Sequence, residues 1–256
     1  MTTPLLTSLD DDALAAHVAG EAGALLMALR ASDGFSHPDA LRGAGDRRAN
    51  QLICDLLTTA RPDDPILSEE SADRSNRLSS RRVWIVDPLD GTREFGEEGR
   101  SDWAVHIALA LDGHITTSAV GLPARDLVLN ANPSTALPSA HDGPVRVVTS
   151  RTRNPPAARA VAAALDAQLI PMGSAGAKAM AVLLGDADVY AHSGGMYQWD
   201  SAAPVGVALA AGLHVSRIDG SPIVYNAADT WLPDVLVCRP ELADTALAAL
   251  VGVPSE

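Results

Sequence analysis

Two aspartates, Asp87 and Asp90, stand close together in the stretch Val83-Trp84-Ile85-Val86-Asp87-Pro88-Leu89-Asp90-Gly91-Thr92-Arg93-Glu94-Phe95. Their carboxylates can meet at one point only if the backbone between them turns. Pro88 fixes φ there, and Gly91 permits a backbone that other residues resist. A rigid turn of this kind can aim both carboxylates and the Leu89 carbonyl at one place. Oxygen ligands of that type suit Mg²⁺, which takes near-octahedral geometry and keeps several waters. A helical turn starting at Thr92 would add backbone N–H groups facing the same point, and such groups accept phosphate. An acidic turn that merely caps a helix is the alternative. It would not need Asp-Pro-x-Asp-Gly-Thr in full, so the residues point to a metal–phosphate site.

Asp-x-Asp-Gly-Thr is also the signature of phosphatases of the haloacid-dehalogenase type, whose first Asp is a covalent nucleophile. Set on Asp90-Gly91-Thr92, that nucleophile would fall at position 88, which is Pro88. Asp87 comes one residue too early. The pattern therefore favours direct attack by a metal-activated water over an aspartyl-phosphate intermediate.

Further oxygen ligands can come from Glu69, at the end of the short apolar run Ile66-Leu67-Ser68, and from Asp200 in Gln198-Trp199-Asp200-Ser201-Ala202-Ala203. Taken alone, Asp200 is more often an N-cap than a ligand, and for Asp46 at the apparent start of a helix the N-cap is likewise the favoured reading. Two carboxylates about 4 Å apart repel by about 4 kcal/mol at an effective dielectric of about 20. Gathering four of them requires cations, and a pair of Mg²⁺ ions would clamp the attacking and leaving oxygens at phosphorus. Thr92 could orient the attacking water, and Asp46 could take its proton through the Thr92 hydroxyl.

The elements that must position these groups read as mixed α and β. A helix follows Asp10-Asp11-Asp12 to about Arg30, with Leu14, Val18, Ala22, Leu25, Leu26 and Leu29 on one face. Ala31 to Gly45 reads as a loop, and Asp46 as the start of a second helix. Ala72 to Arg82 is polar and reads as a mobile loop. Val83 to Val86 is a buried strand, and Trp103 to Leu111 and Ile115 to Gly121 form a hairpin around Asp112-Gly113. His106, inside that strand, reads as a packed core histidine. Asn132 to Pro144 is rich in Pro, Ser, Ala and Gly and marks a boundary. It divides an N-terminal α+β half, 1–143, with the main metal site, from a C-terminal α/β half, 144–256, supplying Asp200 and substrate-binding loops. In that second half strands are expected at Gln168-Leu169-Ile170, Ala187 to Ala191 and Val235 to Cys238. Gly173 to Gly176 and His192 to Gln198 read as loops.

The chain has 256 residues, 47% of them apolar, with 19 Lys and Arg against 32 Asp and Glu and a net charge of −13. That charge argues against nucleic acid or an anionic membrane as partner. It would also repel an anionic substrate unless bound cations reverse the local potential. Cys54 and Cys238 lie far apart and read as buried thiols, which fits a reducing cytoplasm. Met-Thr-Thr-Pro carries no leader pattern, and no apolar run is expected to reach membrane-spanning length.

Leu67-Ser68-Glu69-Glu70-Ser71, Trp84 to Thr92 and Gln198 to Ala203 resemble the three signatures of the inositol monophosphatase family, in order and spacing across almost the whole chain. The resemblance implies an α+β fold, a layered αβαβα sandwich, and a lithium-sensitive, Mg²⁺-dependent phosphatase holding two or three ions. On that pattern Glu69, Asp87, Asp90, Asp200 and the Leu89 carbonyl match the metal ligands, and Asp46 and Thr92 the water-activating pair. It also implies a homodimer, although no long apolar stripe marks an interface.

Arg93-Glu94-Phe95 is similar to the branch of the family acting on 3'-phosphoadenosine 5'-phosphate, as is Gly173-Ser174-Ala175-Gly176-Ala177-Lys178. Small residues at Ser174 and Gly176 would let a nucleotide approach the backbone, and Lys178 would offer a cation to its second phosphate. The other reading of Lys178 is a solvated helix residue. Ser150-Arg151-Thr152-Arg153 stands where the branch often has Ser-x-Ser-His. Its arginines could add phosphate contacts, which leaves inositol phosphates and fructose bisphosphate open as substrates. The expected substrate contacts are Glu69, Leu89, Asp90, Gly91, Thr92, Arg93, Ser150, Arg153, Ser174, Gly176, Lys178 and Asp200. The leading reading is removal of the 3'-phosphate to give AMP and phosphate. The alternatives are an inositol or fructose phosphatase and a non-catalytic sensor.

Overall fold

A computed structural model describes residues 6–73, 75–153 and 155–255; the Met-Thr-Thr-Pro start lies outside them. Two five-stranded sheets carry the chain. The first has the order β1-β2-β3-β4-β5: β1 (Ile66–Ser68), β2 (Arg82–Asp90), β3 (Ala104–Leu111), β4 (His114–Leu122) and β5 (Leu127–Asn130). The second has the order β7-β6-β8-β10-β9: β6 (Arg146–Ser150), β7 (Gln168–Met172), β8 (Val189–Tyr197), β9 (His214–Ser216) and β10 (Trp231–Cys238). Helices α1 (Asp11–Asp33) and α2 (Pro38–Ala60) cover the outer face of the first sheet. Helices α5 (Ala175–Leu183) and α6 (Gln198–Ala210) lie between the sheets, and α4 (Pro156–Ala164) and α7 (Ala243–Leu250) cover the second. The layers run αβαβα, as expected.

Alternation along β2 joins two cores. Trp84 and Val86 pack under α1 and α2, while Val83 and Ile85 pack towards α5 and α6. With both faces covered, the strand reads as a continuous apolar run rather than an alternating one. A third core lies between the second sheet and α4 and α7.

Several boundaries differ from the sequence expectations. The loop expected from Ala31 to Gly45 shrinks to residues 34–37, because α2 starts at Pro38, with a proline suited to the first helical position. Gly45 misled the reading: it sits inside the helix because a Cβ there would lie 2.8 Å from Phe95 and 3.0 Å from Leu89. Asp46 is therefore mid-helix and not an N-cap. The expected strand at Ala187 to Ala191 continues to Tyr197, where a loop was expected. Its partner β10 likewise starts at Trp231 rather than Val235, and Trp231 pairs with Tyr197. Gly194 and Gly195 suggested a loop, but their φ values of +102° and +76° serve an irregular stretch of this ladder. The strand β9 was not anticipated. The polar segment after Glu70 is anchored: it contains a short 3₁₀ turn, Ser75–Ser79, and Arg77 is 1% exposed. Its guanidinium donates to Asp73, to Asn226 Oδ1 and to the Ala227 and Ala228 carbonyls.

By length and composition α1 is apolar enough to span a bilayer, contrary to expectation. Its Leu14, Val18, Ala22, Leu26 and Leu29 face is buried against the first sheet and α2. Cys238 is buried in β10, whereas Cys54 on α2 is only half-buried.

Candidate active site

The carboxylates gather where β2 ends. Its pairing with β3 is regular from Arg82 to Asp87 and then shifts register before Asp90, with Pro88 and Leu89 in the irregular stretch. A proline has no N–H to lose at such a bulge. Gly91 follows with φ +86°, and a one-turn helix α3 (Thr92–Phe95) starts as expected. Asp200 arrives from the other sheet's side, in the first turn of α6. Single oxygens of Asp87, Asp90 and Asp200 lie within 4.8 Å of one another.

The bonds around these groups divide their work. Asp87 is 1% exposed and takes the Leu89 N–H on Oδ1 at 2.9 Å, while its buried Oδ2 has no hydrogen-bond partner. Asp90 is loaded on one oxygen: Oδ2 accepts from the Ser174 hydroxyl at 2.5 Å and the Gly176 N–H at 2.7 Å. His106 Nε2 stands 3.3 Å from the same oxygen, with its Nδ1 at 3.1 Å from the Trp199 carbonyl. His106 is buried as expected, yet it backs Asp90, which the sequence reading missed. Asp200 is not the N-cap of α6, which is Tyr197; it is the third helical residue, accepts the Tyr197 N–H at 2.7 Å in a capping box, and also faces the cluster. Glu69 follows β1. As a residue it is exposed, but its carboxyl end reaches Asp87 and stands close enough to Asp90, Glu70 and Asp46 to feel their charge.

Burial first, and the neighbouring carboxylate charges with it, raise the pKa values of Glu69, Asp87 and Asp200 above the ordinary carboxylate range, although contact with Asp87 partly offsets this at Glu69. Such a cluster favours protonation or a cation. The unpartnered Asp87 oxygen and the all-oxygen donor set fit a hard divalent ion.

Asp46 approaches from α2. The Thr92 hydroxyl lies 3.3 Å from Asp46 Oδ1 and 3.0 Å from the Leu89 carbonyl. Burial, together with the charge of Glu70, raises Asp46 to a pKa of about 6. The Ser68 hydroxyl donates to Asn50 on α2 at 2.7 Å, which ties the Glu69 loop to the helix carrying Asp46.

A cavity of about 350 Å³ opens over this floor, lined on one side by Asp90, Gly91, Thr92, Arg93 and Glu94 and on the other by segments of the second half. Ser150 lines it and uses its hydroxyl to accept the Arg153 N–H at 3.1 Å. Arg151 is committed to Glu94 at 2.5 Å and Glu97 at 2.6 Å, so only one of the two expected arginines is available for a ligand. Arg153 lines the cavity with no ion pair among the described residues; Nη1 reaches the Gly195 carbonyl at 3.4 Å. Lys178 is no solvated residue. It is 5% exposed, donates to the Gly173 and Ser174 carbonyls at 3.1 and 2.6 Å, and burial lowers its pKa to about 8. Gly176 lies off the cavity wall. Its missing side chain makes room for His106, since a Cβ would fall 2.0 Å from Nε2. Ser174 is on the wall, but its hydroxyl serves Asp90. Glu94, Tyr190, His192, Tyr197 and Trp231 also line the cavity, beside Thr152, Ala175, Gly195 and Met196, and were missed. For Glu94 the signal was its place beside Arg93.

Comparisons with known proteins agree with this geometry. The chain is 51% identical over 238 residues to a Mycobacterium tuberculosis protein named 3'-phosphoadenosine 5'-phosphate phosphatase, covering 90% of this chain and 89% of the relative. It is 32% identical over 202 residues to the 3'(2'),5'-bisphosphate nucleotidase CysQ of Escherichia coli, covering 74% and 81% of the two chains. Among solved structures, CysQ from Bacteroides thetaiotaomicron superposes with a TM-score of 0.77 at 25% identity, over 91% of this chain and 98% of the other. Residues 15–253 match the inositol monophosphatase family, a family of metal-dependent phosphatases, and with the acidic floor and the layered fold in place the chain belongs to it.

Proposed function

We propose that the protein removes the 3'-phosphate of 3'-phosphoadenosine 5'-phosphate to give AMP and inorganic phosphate. The observation that carries the chemistry is the convergence of Asp87, Asp90 and Asp200 around a buried oxygen with no partner. The names of the relatives at 51% and 32% identity support the substrate.

Asp87, Asp90, Asp200, Glu69 and the Leu89 carbonyl would hold Mg²⁺, two or three ions in all. Bound there, Mg²⁺ would neutralise the carboxylates, polarise the phosphoryl group and lower the pKa of water. The chain's own residues do the positioning and the proton transfer. Ser174 and Gly176 hold one Asp90 oxygen and so fix the orientation of the carboxylate that would help hold the ion. Thr92 has a single hydroxyl hydrogen. Donated to Asp46, it leaves a lone pair to take the hydrogen of the attacking water. Above a pH of about 6 Asp46 is charged and can receive that proton. Gly91 to Arg93 border the scissile phosphate, and Arg153 supplies the cation for the second one. Lys178 lines the cavity and fixes the Gly173 and Ser174 carbonyls.

The functional unit on this reading comprises residues 1–143 and 144–256, with the site between them. A cytoplasmic homodimer inhibited by Li⁺ completes the proposal. Phosphate release with Mg²⁺ is measured on 3'-phosphoadenosine 5'-phosphate, inositol 1-phosphate and fructose 1,6-bisphosphate. The first should give the highest kcat/KM, and faster turnover of either other substrate overturns the assignment.

A further inference from the structure

Tyr197 and Trp231 face each other across β8 and β10 as register partners. They are 44% and 42% exposed, in a chain with only 4 Trp, 3 Tyr and 2 Phe. Their rings meet edge to face, with centroids 5.4 Å apart and planes at 82°. Trp199 stacks behind Tyr197 at 4.8 Å and 14°. Trp231 lies on Gly195, where a Cβ would fall 1.6 Å from the indole Cζ2, so the ring's place requires glycine. A cross-strand aromatic pair stabilises a sheet, and that accounts for their contact. It does not account for both rings standing on the wall of the acidic cavity. The backbone N–H of Tyr197 holds the Asp200 carboxylate at 2.7 Å, and the Gly195 carbonyl beneath Trp231 is the group Arg153 reaches. The aromatic rim thus adjoins the acidic floor on one side and the unpaired guanidinium on the other.

We propose that Tyr197 and Trp231 form a stacking platform for the base of a nucleoside bisphosphate, and that this platform separates nucleotides from sugar and inositol phosphates. The inference rests on the nucleotide reading above and adds the residues that select for it. The acidic floor recognises any phosphomonoester and cannot discriminate. With the two planes 82° apart, a flat base stacks on one of the half-exposed rings, meets the other edge-on, and gains stacking energy. Inositol and fructose have no π face and would leave the rings wet.

The test compares the wild type, Trp231→Ala and Trp231→Phe in the presence of Mg²⁺. Each is assayed on 3'-phosphoadenosine 5'-phosphate and on glycerol 2-phosphate, which has no base, and titrated with AMP while tryptophan fluorescence is followed. Trp231→Ala should lose about tenfold in kcat/KM on the nucleotide, mainly through KM, which lies within the worth of one stacked base. Glycerol 2-phosphate should change by less than about twofold, Trp231→Phe should restore most of the loss, and the AMP-dependent fluorescence change should vanish in Trp231→Ala. Equal losses on both substrates, or none on the nucleotide, overturn the platform. So does an AMP response that does not involve Trp231, even if the wild type prefers the nucleotide. A Trp231-dependent AMP response in an enzyme that hydrolyses glycerol 2-phosphate equally well would keep the platform and defeat the substrate assignment instead. Should Trp231→Ala fail to fold, Tyr197→Ala is read in the same way.

Discussion

The two walls of the cavity are built in opposite ways. One is nearly continuous in sequence: Asp87 to Thr92 form a strand end, a bulge and the first residue of a helical turn, and only Asp46, Glu69 and Asp200 come from elsewhere. The other is assembled from Ser150 to Arg153, Gly173 to Ala175, Lys178, Tyr190, His192, Gly195 to Tyr197 and Trp231. The first wall stores repulsion, with buried carboxylates whose pKa values are raised by burial and by each other. The second has its charges largely paired: Arg151 with Glu94 and Glu97, Lys178 with two carbonyls. The difference suggests that chemistry resides in the compact wall and selection in the dispersed one, where loops can change without disturbing the floor.

Substitutions should separate the walls. The largest effect is expected from Asp90→Asn, which removes a charge from the floor while keeping shape and volume. It should cost more than about a hundredfold in kcat, since several kcal/mol of charge stabilisation are at stake, with the circular dichroism spectrum unchanged. A retained tenth of wild-type kcat would contradict the first-wall assignment. Asp46→Asn should lower kcat by about a hundredfold, the scale of general-base catalysis. It should also abolish the acid limb of the pH–rate profile near pH 6, where the wild-type carboxylate titrates. If the limb stays, the proton goes elsewhere. On the other wall, Arg153→Ala should raise KM for 3'-phosphoadenosine 5'-phosphate about tenfold, the scale of one hydrogen bond to a charged group. It should leave kcat, and all kinetics on glycerol 2-phosphate, within about twofold. A loss confined to kcat would merge the two walls into one.

The smallest effect is thermodynamic. Asp200 is held near a pKa of about 8, against an ordinary value of 3.8. The folded state thus binds the proton more tightly than the unfolded one. Stability contributed by this group is fully present below about pH 4 and is lost as pH rises through about 8. Metal-free protein should therefore melt at a lower temperature at pH 8 than at pH 5. Saturating Mg²⁺ should raise Tm by about 5 °C at pH 8 and by less at pH 5. Differential scanning fluorimetry measures both, and a Mg²⁺ shift independent of pH would contradict the coupling.

What the sequence revealed follows the same division. Asp87 to Thr92 were legible because the bulge, the glycine turn and the strand are local, so residue types alone imply them. The layered fold was legible through the resemblance. Asp46 was expected at a helix start and lies mid-helix: Gly43 and Gly45 suggested a loop, and only the packing of Phe95 and Leu89 on Gly45 explains why a helix passes there. Lys178 and Gly176 drew attention as ligand contacts; Lys178 lines the cavity while bracing two carbonyls, whereas Gly176 lies off the wall and makes room for His106. The Tyr197–Trp231 rim could not be read, because it depends on two strands, far apart in the chain, both running past glycines and boundaries that suggested loops.

Arg77 adds a consequence about assembly. Its buried guanidinium fastens the segment after Glu70 to residues 226–228, which lead to Trp231, across a separation of 149 positions to Asn226. The chain cannot seal the ligand-recognising edge without also drawing in the segment that follows the Glu69 corner. A half-finished molecule with working chemistry but no selectivity is thereby disfavoured, and the two competences should emerge in one cooperative step.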